Sequence, residues 1–204
     1  MKNDTCLITI AYPGAKKYIK NFEKTILDQT DQNFDLVIIL NKINTFNVNL
    51  NQKVKLFKIN ESVISARFAM LQIIRRLRYK KIIFIDIDDT MAKNRMKFLK
   101  KKLIAHKIVV NDFNLISKNK IIKNYIGKRI KNNSKIIQRN LRDYNFMGMS
   151  NTSLQANILK RFKIRRNNKI PIFDWFFWTL LLKSYDALFT NNTYTNYNVK
   201  KNSI

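Results

Sequence analysis

The sequence predicts an α/β fold, a mixed but mostly parallel sheet flanked by helices. Two observations predict it. Apolar runs of strand length alternate with stretches of helical periodicity in a β-α-β-β-α-β succession, which places parallel strands side by side under crossover helices. A knot of acidic residues then falls where one of those strands ends, the place where ligands collect in such sheets.

Leu7 to Tyr12 is a short buried strand closed by Pro13-Gly14. Tyr18, Ile19, Phe22, Ile26 and Leu27 recur at helical spacing, and Thr30-Asp31-Gln32-Asn33 has turn chemistry. Phe34 to Leu40 is an apolar strand apart from Asp35. Val54 to Ile59 alternates apolar residues with lysine, so it predicts a half-exposed strand. Ser62 is placed to cap a helix running to about Leu77. Lys81 to Ile85 is a buried strand that ends in Asp86-Ile87-Asp88-Asp89.

The second half is less regular. Helices are expected over Met91 to Ala105, Asn151 to Phe162 and Ile172 to Lys183. Strands are expected over Ile108 to Phe113 and Ile121 to Ile126, with one or two more over Ala187 to Tyr197.

Composition narrows the function. The 204 residues include 46% hydrophobic residues, enough for a full core and too many for a disordered chain. Glycine (3) and proline (2) are too scarce to form linkers. The net charge is +27, from 40 basic against 13 acidic residues. Lys, Asn and Ile are together abundant, so codon bias and a functional basic surface stand as alternative sources of the charge. No nucleic-acid motif accompanies it, which argues against a nucleic-acid partner. Cys6 stands alone, which excludes a disulfide framework and a cysteine zinc site; His106 is the only histidine, which excludes a multi-histidine metal site. The N-terminus lacks a signal-peptide pattern, and no apolar run reaches the roughly 18–20 residues of a membrane helix. A reduced, cytoplasmic protein is expected, with room for peripheral contact with the inner face of an anionic membrane.

Three of the 13 acidic residues lie within Asp86 to Asp89, whereas only Asp112 and Asp143 are acidic between residues 90 and 173. Like charges so close repel, and a divalent cation relieves the repulsion. Mn²⁺ or Mg²⁺ suits such oxygen ligands, Mg²⁺ taking one or two carboxylates plus phosphate oxygens and water. A solvated turn with capping aspartates is the bland alternative.

Ile83 to Met91 resembles the first motif of the haloacid dehalogenase superfamily, an apolar strand followed by Asp-x-Asp-x-Thr. That resemblance implies a phosphatase with Asp86 as nucleophile and Asp88 as general acid/base. The superfamily's later acidic pair has no counterpart here, because no two acids after Asp89 lie within four positions.

A wider resemblance is to the family 2 glycosyltransferases of the GT-A fold. Leu7 to Pro13 is similar to their opening strand, Phe22 to Thr30 to their first helix, and Phe34 to Asn41 to their second strand. Ser65-Ala66-Arg67 resembles the Ala-Arg opening the helix before the metal strand, and Ile83 to Asp89 the Asp-x-Asp-Asp segment itself. Phe146 to Asn151 resembles their Gly-x-Ser-Asn segment, Phe173-Asp174-Trp175 their Glu-Asp motif, and Tyr197 to Ser203 a common C-terminal ending. The chain departs from the pattern at Asn41-Lys42, where Asp-Asp is frequent, and at Phe173, where the family has Glu. The nucleobase is therefore left open.

The resemblance implies a single GT-A-like, Rossmann-type domain over 1–204, with 1–90 binding the nucleotide-sugar and 91–204 shaping the acceptor side. It implies a metal-dependent, inverting transfer from a nucleotide-diphosphate sugar to a glycan or lipid-linked acceptor. Asp88 and Asp86 would hold the metal. Ala11, Tyr12, Asn41, Arg67, Asp86 and Ile87 would contact the donor, and Gly148, Ser150 and Trp175 the acceptor. Asp174 would be the general base, with a helix N-cap as its alternative role. A basic polyanion-binding protein without catalysis is the third reading.

Overall fold

The structure, a computed structural model, describes residues 3–117, 120–162 and 169–199. The strands are β1 (Thr5–Ala11), β2 (Asp35–Asn41), β3 (Val54–Ile59), β4 (Lys81–Phe84), β5 (Thr90–Met91), β6 (Ile108–Ser117), β7 (Lys120–Ile122), β8 (Lys135–Ile136), β9 (Thr152–Gln155) and β10 (Ala187–Asn198). The helices are α1 (Ile19–Leu27), α2 (Val63–Arg76), α3 (Arg95–Ala105), α4 (Asn157–Lys160) and α5 (Phe173–Leu181).

The sheet runs β3-β2-β1-β4-β9-β6-β10-β5, with β7 beside β6 and β8 beside β10. β3, β2, β1 and β4 are parallel, and β9 is antiparallel to both β4 and β6. Strands from both sequence halves therefore share one sheet, mixed but mostly parallel among its long members, as expected.

Alternation along the strands separates two cores. Leu36, Ile38 and Leu40 face one side with Phe22 and Ile26 of α1 and Met96, Leu99 and Leu103 of α3. Val37 and Ile39 face the other, with Phe68 and Leu71 of α2 and Phe177 and Trp178 of α5. Cys6 lies fully buried in this second core. Ser62 caps α2, its hydroxyl accepting the Ser65 backbone N–H at 3.3 Å. Gly14, at φ +88°, makes the left-handed turn after β1 that a side chain disfavours.

Several second-half expectations need correction. Asn151 to Phe162 is not one helix: Thr152–Gln155 forms β9, and only Asn157–Lys160 is helical. Thr152, Ser153 and Leu154 are all buried, because β9 is sandwiched between β4 and β6. The helix predicted from Met91 starts at Arg95, since Thr90 and Met91 pair with Asn196 and Thr195 of β10. The strand predicted over Ile121 to Ile126 ends at Ile122. The remainder turns to bring the Ile126 N–H to Asp112. β6 extends to Ser117, beyond the predicted Phe113, because it pairs along most of β10.

Candidate functional site

β1 and β4 run parallel side by side, so the loops at their carboxyl ends converge on one edge of the sheet. After β4 the chain turns: the Asp89 N–H donates to the Asp86 carbonyl at 3.0 Å. Ile87 is buried in the core, and Asp86 and Asp88 are half-buried on either side of it. The Tyr12 hydroxyl approaches the Asp88 carboxylate at 3.5 Å, joining the two loops. Ala11, one residue earlier, is fully buried at the end of β1.

Arg67, on the first turns of α2, reaches this edge and places Nη2 2.6 Å from Asp86 Oδ1. Against the desolvation that would lower it, Asp86 and then Asp174 hold the guanidinium above its ordinary pKa. Asp174 sits in the first turn of α5 and accepts the Met149 N–H at 3.1 Å. It makes no side-chain cap of α5, whose N-cap is Ile172. Burial pushes the Asp174 pKa up to about 6; Arg67 opposes that rise and Asp86 adds to it.

The segment 146–151 forms the facing wall. Buried Asn151 holds it in shape, donating to the Phe146 and Asn111 carbonyls and accepting the Gly148 N–H at 2.8 Å. Ser150 Oγ accepts the Asp86 N–H at 2.9 Å, locking the wall to the acidic turn. Arg67, Asp86, Gly148, Ser150 and Asp174 thus border one cleft of about 520 Å³.

Two predicted residues are placed differently. Asn41 is buried at the end of β2, where its amide clasps both the N–H and the C=O of Glu61. Trp175 donates its indole N–H to the Leu141 carbonyl at 2.7 Å and lines a neighbouring apolar groove with Ile172, Phe176 and Leu180. Trp178 is fully buried against Phe84. Tyr197 borders the cleft, while Ser203 lies outside the described residues.

Sequence reasoning missed two supports. Arg95, fully buried at the start of α3, donates to the Phe84 and Ser150 carbonyls at 3.0 and 2.7 Å, tying β4 to the facing wall. Asn198, at the end of β10, donates its backbone N–H to Asp89 Oδ1 and its side-chain N–H to the Asp88 carbonyl. Buried Asp89, raised above the usual carboxylate range by desolvation and by Asp86, is therefore held inside the fold. In sequence, Arg95 is one basic residue among 40, and Asn198 carries no motif.

No protein-family profile and no curated protein sequence matches the chain. Its fold is shared with solved structures of S. aureus TarS. Residues 1–349 of TarS in complex with UDP-GlcNAc match at a TM-score of 0.72 and 13% identity, covering 98% of this chain and 60% of that one. The complex with UDP matches at 0.70 and 12%, over 97% and 61% respectively. A further TarS structure matches at 0.71 and 13%, covering 96% of this chain and 37% of that one. The chain spans less than two thirds of each. The fold expected from the sequence, that of the GT-A glycosyltransferases, is the fold observed.

Proposed function

We propose that this chain, built on the glycosyltransferase fold, moves a sugar from a nucleotide-diphosphate donor to a glycan or glycolipid acceptor. The observation that carries the proposal is the convergence of Asp86, Arg67 and Asp174 on one cleft, with Asp88 beside it at the carboxyl end of β4. A protein of the same fold is solved with UDP-GlcNAc, which makes that compound the first donor to test.

The carboxylate oxygens of Asp86 and Asp88 at the acidic turn support a reading with Mn²⁺ or Mg²⁺. Among the described residues no group of three or more His, Cys, Asp or Glu could hold a metal alone. The hard oxygens of Asp88, with Asp86 beside it, would instead share the ion with the donor's phosphates, the arrangement Mg²⁺ favours. When bound, the ion supplies Lewis-acid stabilisation of the charge growing on the leaving diphosphate.

The chain's own residues do the remainder. Arg67 fixes Asp86 and places a cation beside the developing charge. Tyr12, Ala11 and Ile87 shape the donor side between β1 and the acidic turn, and Asn41 holds the adjoining end of β2 against Glu61. Gly148 and Ser150 form the acceptor-facing wall. Asp174 takes the acceptor hydroxyl's proton; a carboxylate with a pKa near 6 is mostly ionised at neutral pH and is a stronger base than an ordinary one. Attack from the Asp174 side, opposite the diphosphate, gives inversion in one displacement. The basic charge favours anionic partners, an acidic glycan or a peripheral contact with anionic membrane on the cytoplasmic side.

A thermal-shift screen of UDP-GlcNAc and other nucleoside diphosphates, with and without Mn²⁺, tests this. A donor at 100 times its Kd stabilises the fold by about 2.7 kcal/mol. The expected result is a metal-dependent shift that disappears in Asp88→Asn. Steeply salt-dependent polyanion binding that ignores that substitution, without any nucleotide shift, would favour the non-catalytic reading.

A further inference from the structure

One wall of the cleft is aromatic. Tyr197 and Phe113 lie 6.0 Å apart by ring centroid, Phe113 and Tyr125 5.3 Å, Tyr125 and Tyr144 6.3 Å, and Tyr144 and Phe146 5.9 Å. All five rings border the same cleft as Asp86 and Asp174. The Arg129 guanidinium caps this row from outside, 4.9 Å from the Tyr144 centroid and 5.8 Å from Tyr125.

The loop that presents Tyr125 and Arg129 is anchored. Asp112 is fully buried and accepts the backbone N–H groups of Ile126 and Gly127 at 2.8 and 2.9 Å. Gly127 permits that approach, because a Cβ there would lie 2.7 Å from Asp112 Oδ2. The aromatic row and its cation are thus built into the fold.

The chemistry of this wall is specific. Pyranose rings present apolar C–H faces that pack on aromatic rings, and a few polar groups then set orientation. A guanidinium at the edge of such a platform recognises a carboxylate or phosphate through its planar fork. In the same stretch of chain the exposed side chains of Lys123, Lys128, Lys131 and Arg139 carry the same sign, and no acidic residue occurs between Asp112 and Asp143.

We infer that the Phe113–Tyr125–Tyr144 row is the acceptor platform and that the acceptor is an anionic sugar, its ring on the tyrosine faces and its carboxylate or phosphate on Arg129. This inference rests on the glycosyltransferase reading above and names the acceptor class of that site.

Saturation-transfer NMR with tri-galacturonate, galactose 6-phosphate and neutral galactotriose tests it, with UDP-GlcNAc and Mn²⁺ reporting the donor side in parallel samples. At least one charged sugar is expected to bind about tenfold more tightly than galactotriose. Whichever charged probe wins identifies carboxylate or phosphate as the recognised group. Arg129→Gln should erase the preference, and Tyr144→Ala should weaken every sugar; Tyr125→Leu, which keeps apolar volume, repeats the second test in a gentler variant. Donor binding should be unchanged in all three. Equal binding of charged and neutral sugars, or a preference that survives in Arg129→Gln, would overturn the inference, the latter because diffuse charge then explains it. Failure of UDP-GlcNAc to bind the wild type, with the Arg129-dependent preference intact, would instead overturn the donor reading and leave the anionic sugar site standing.

Discussion

The guanidinium of Arg67 lies 2.6 Å from Asp86, and its charge also acts on Asp174. One cation therefore holds together a residue of the donor side and the residue assigned as base. Arg67→Met removes the cation that acts on both carboxylates. Because the pair is only about four-fifths buried, the expected stability loss is about 2 kcal/mol rather than the full value for a buried ion pair. The Asp174 pKa should rise further above 6, moving the acid limb of the pH–rate profile upward; chemical denaturation and pH–rate measurements check the two effects.

Asp174 itself gives two opposed outcomes. As the base it must be ionised, so kcat/KM should rise with pH through about 6, and Asp174→Asn should lower kcat by on the order of 10²–10⁴-fold. Stability should move the other way. Its folded pKa exceeds its unfolded one, so the folded state binds more protons between about pH 4 and pH 6 and loses stability as pH rises through that window. Asp174→Asn should therefore unfold at a higher temperature than wild type at pH 8 and lose that advantage near pH 4.

Arg95 supports the site from beneath. Arg95→Met would take from the buried Phe84 carbonyl the donor Arg95 supplies, at a cost of about 1–3 kcal/mol, while the Ser150 carbonyl would keep the Thr195 hydroxyl at 2.9 Å. Urea denaturation should show the loss, and donor affinity should fall with it, because Ser150 also fixes the Asp86 backbone.

Gly127→Ala should destabilise by about 1–3 kcal/mol, since the new methyl must displace the Asp112 carboxylate from the Ile126 and Gly127 N–H groups, two of the three it accepts. Asp112→Ala should loosen the same turn. In both variants amide exchange should accelerate at Ile126 and Gly127 while β1 and β2 remain protected.

The first half of the chain was legible because its signals are local. Val54–Ile59 alternates, Ser62 caps α2, and Asp86 to Asp89 stands out in so basic a chain. The second half was not, because its shape depends on distant pairing. Leu154, Ile158, Leu159 and Phe162 recur at helical spacing, yet β9 is a strand because β4 and β6 both offer it hydrogen bonds. Met91 scans as helical, yet pairing with Thr195 makes it a strand. The aromatic row gathers Phe113, Tyr125, Tyr144 and Tyr197 from segments far apart in sequence, so no short motif announces it.

The central claim is that the acidic turn after β4 gathers a metal and, through it, a diphosphate. Anomalous diffraction from crystals grown with Mn²⁺ and UDP tests it most directly. The expected result is a manganese peak in coordination contact with an Asp88 carboxylate oxygen, shared with the UDP phosphates and absent from Asp88→Asn crystals. A nucleotide bound elsewhere, or a manganese peak that persists in Asp88→Asn, would contradict it.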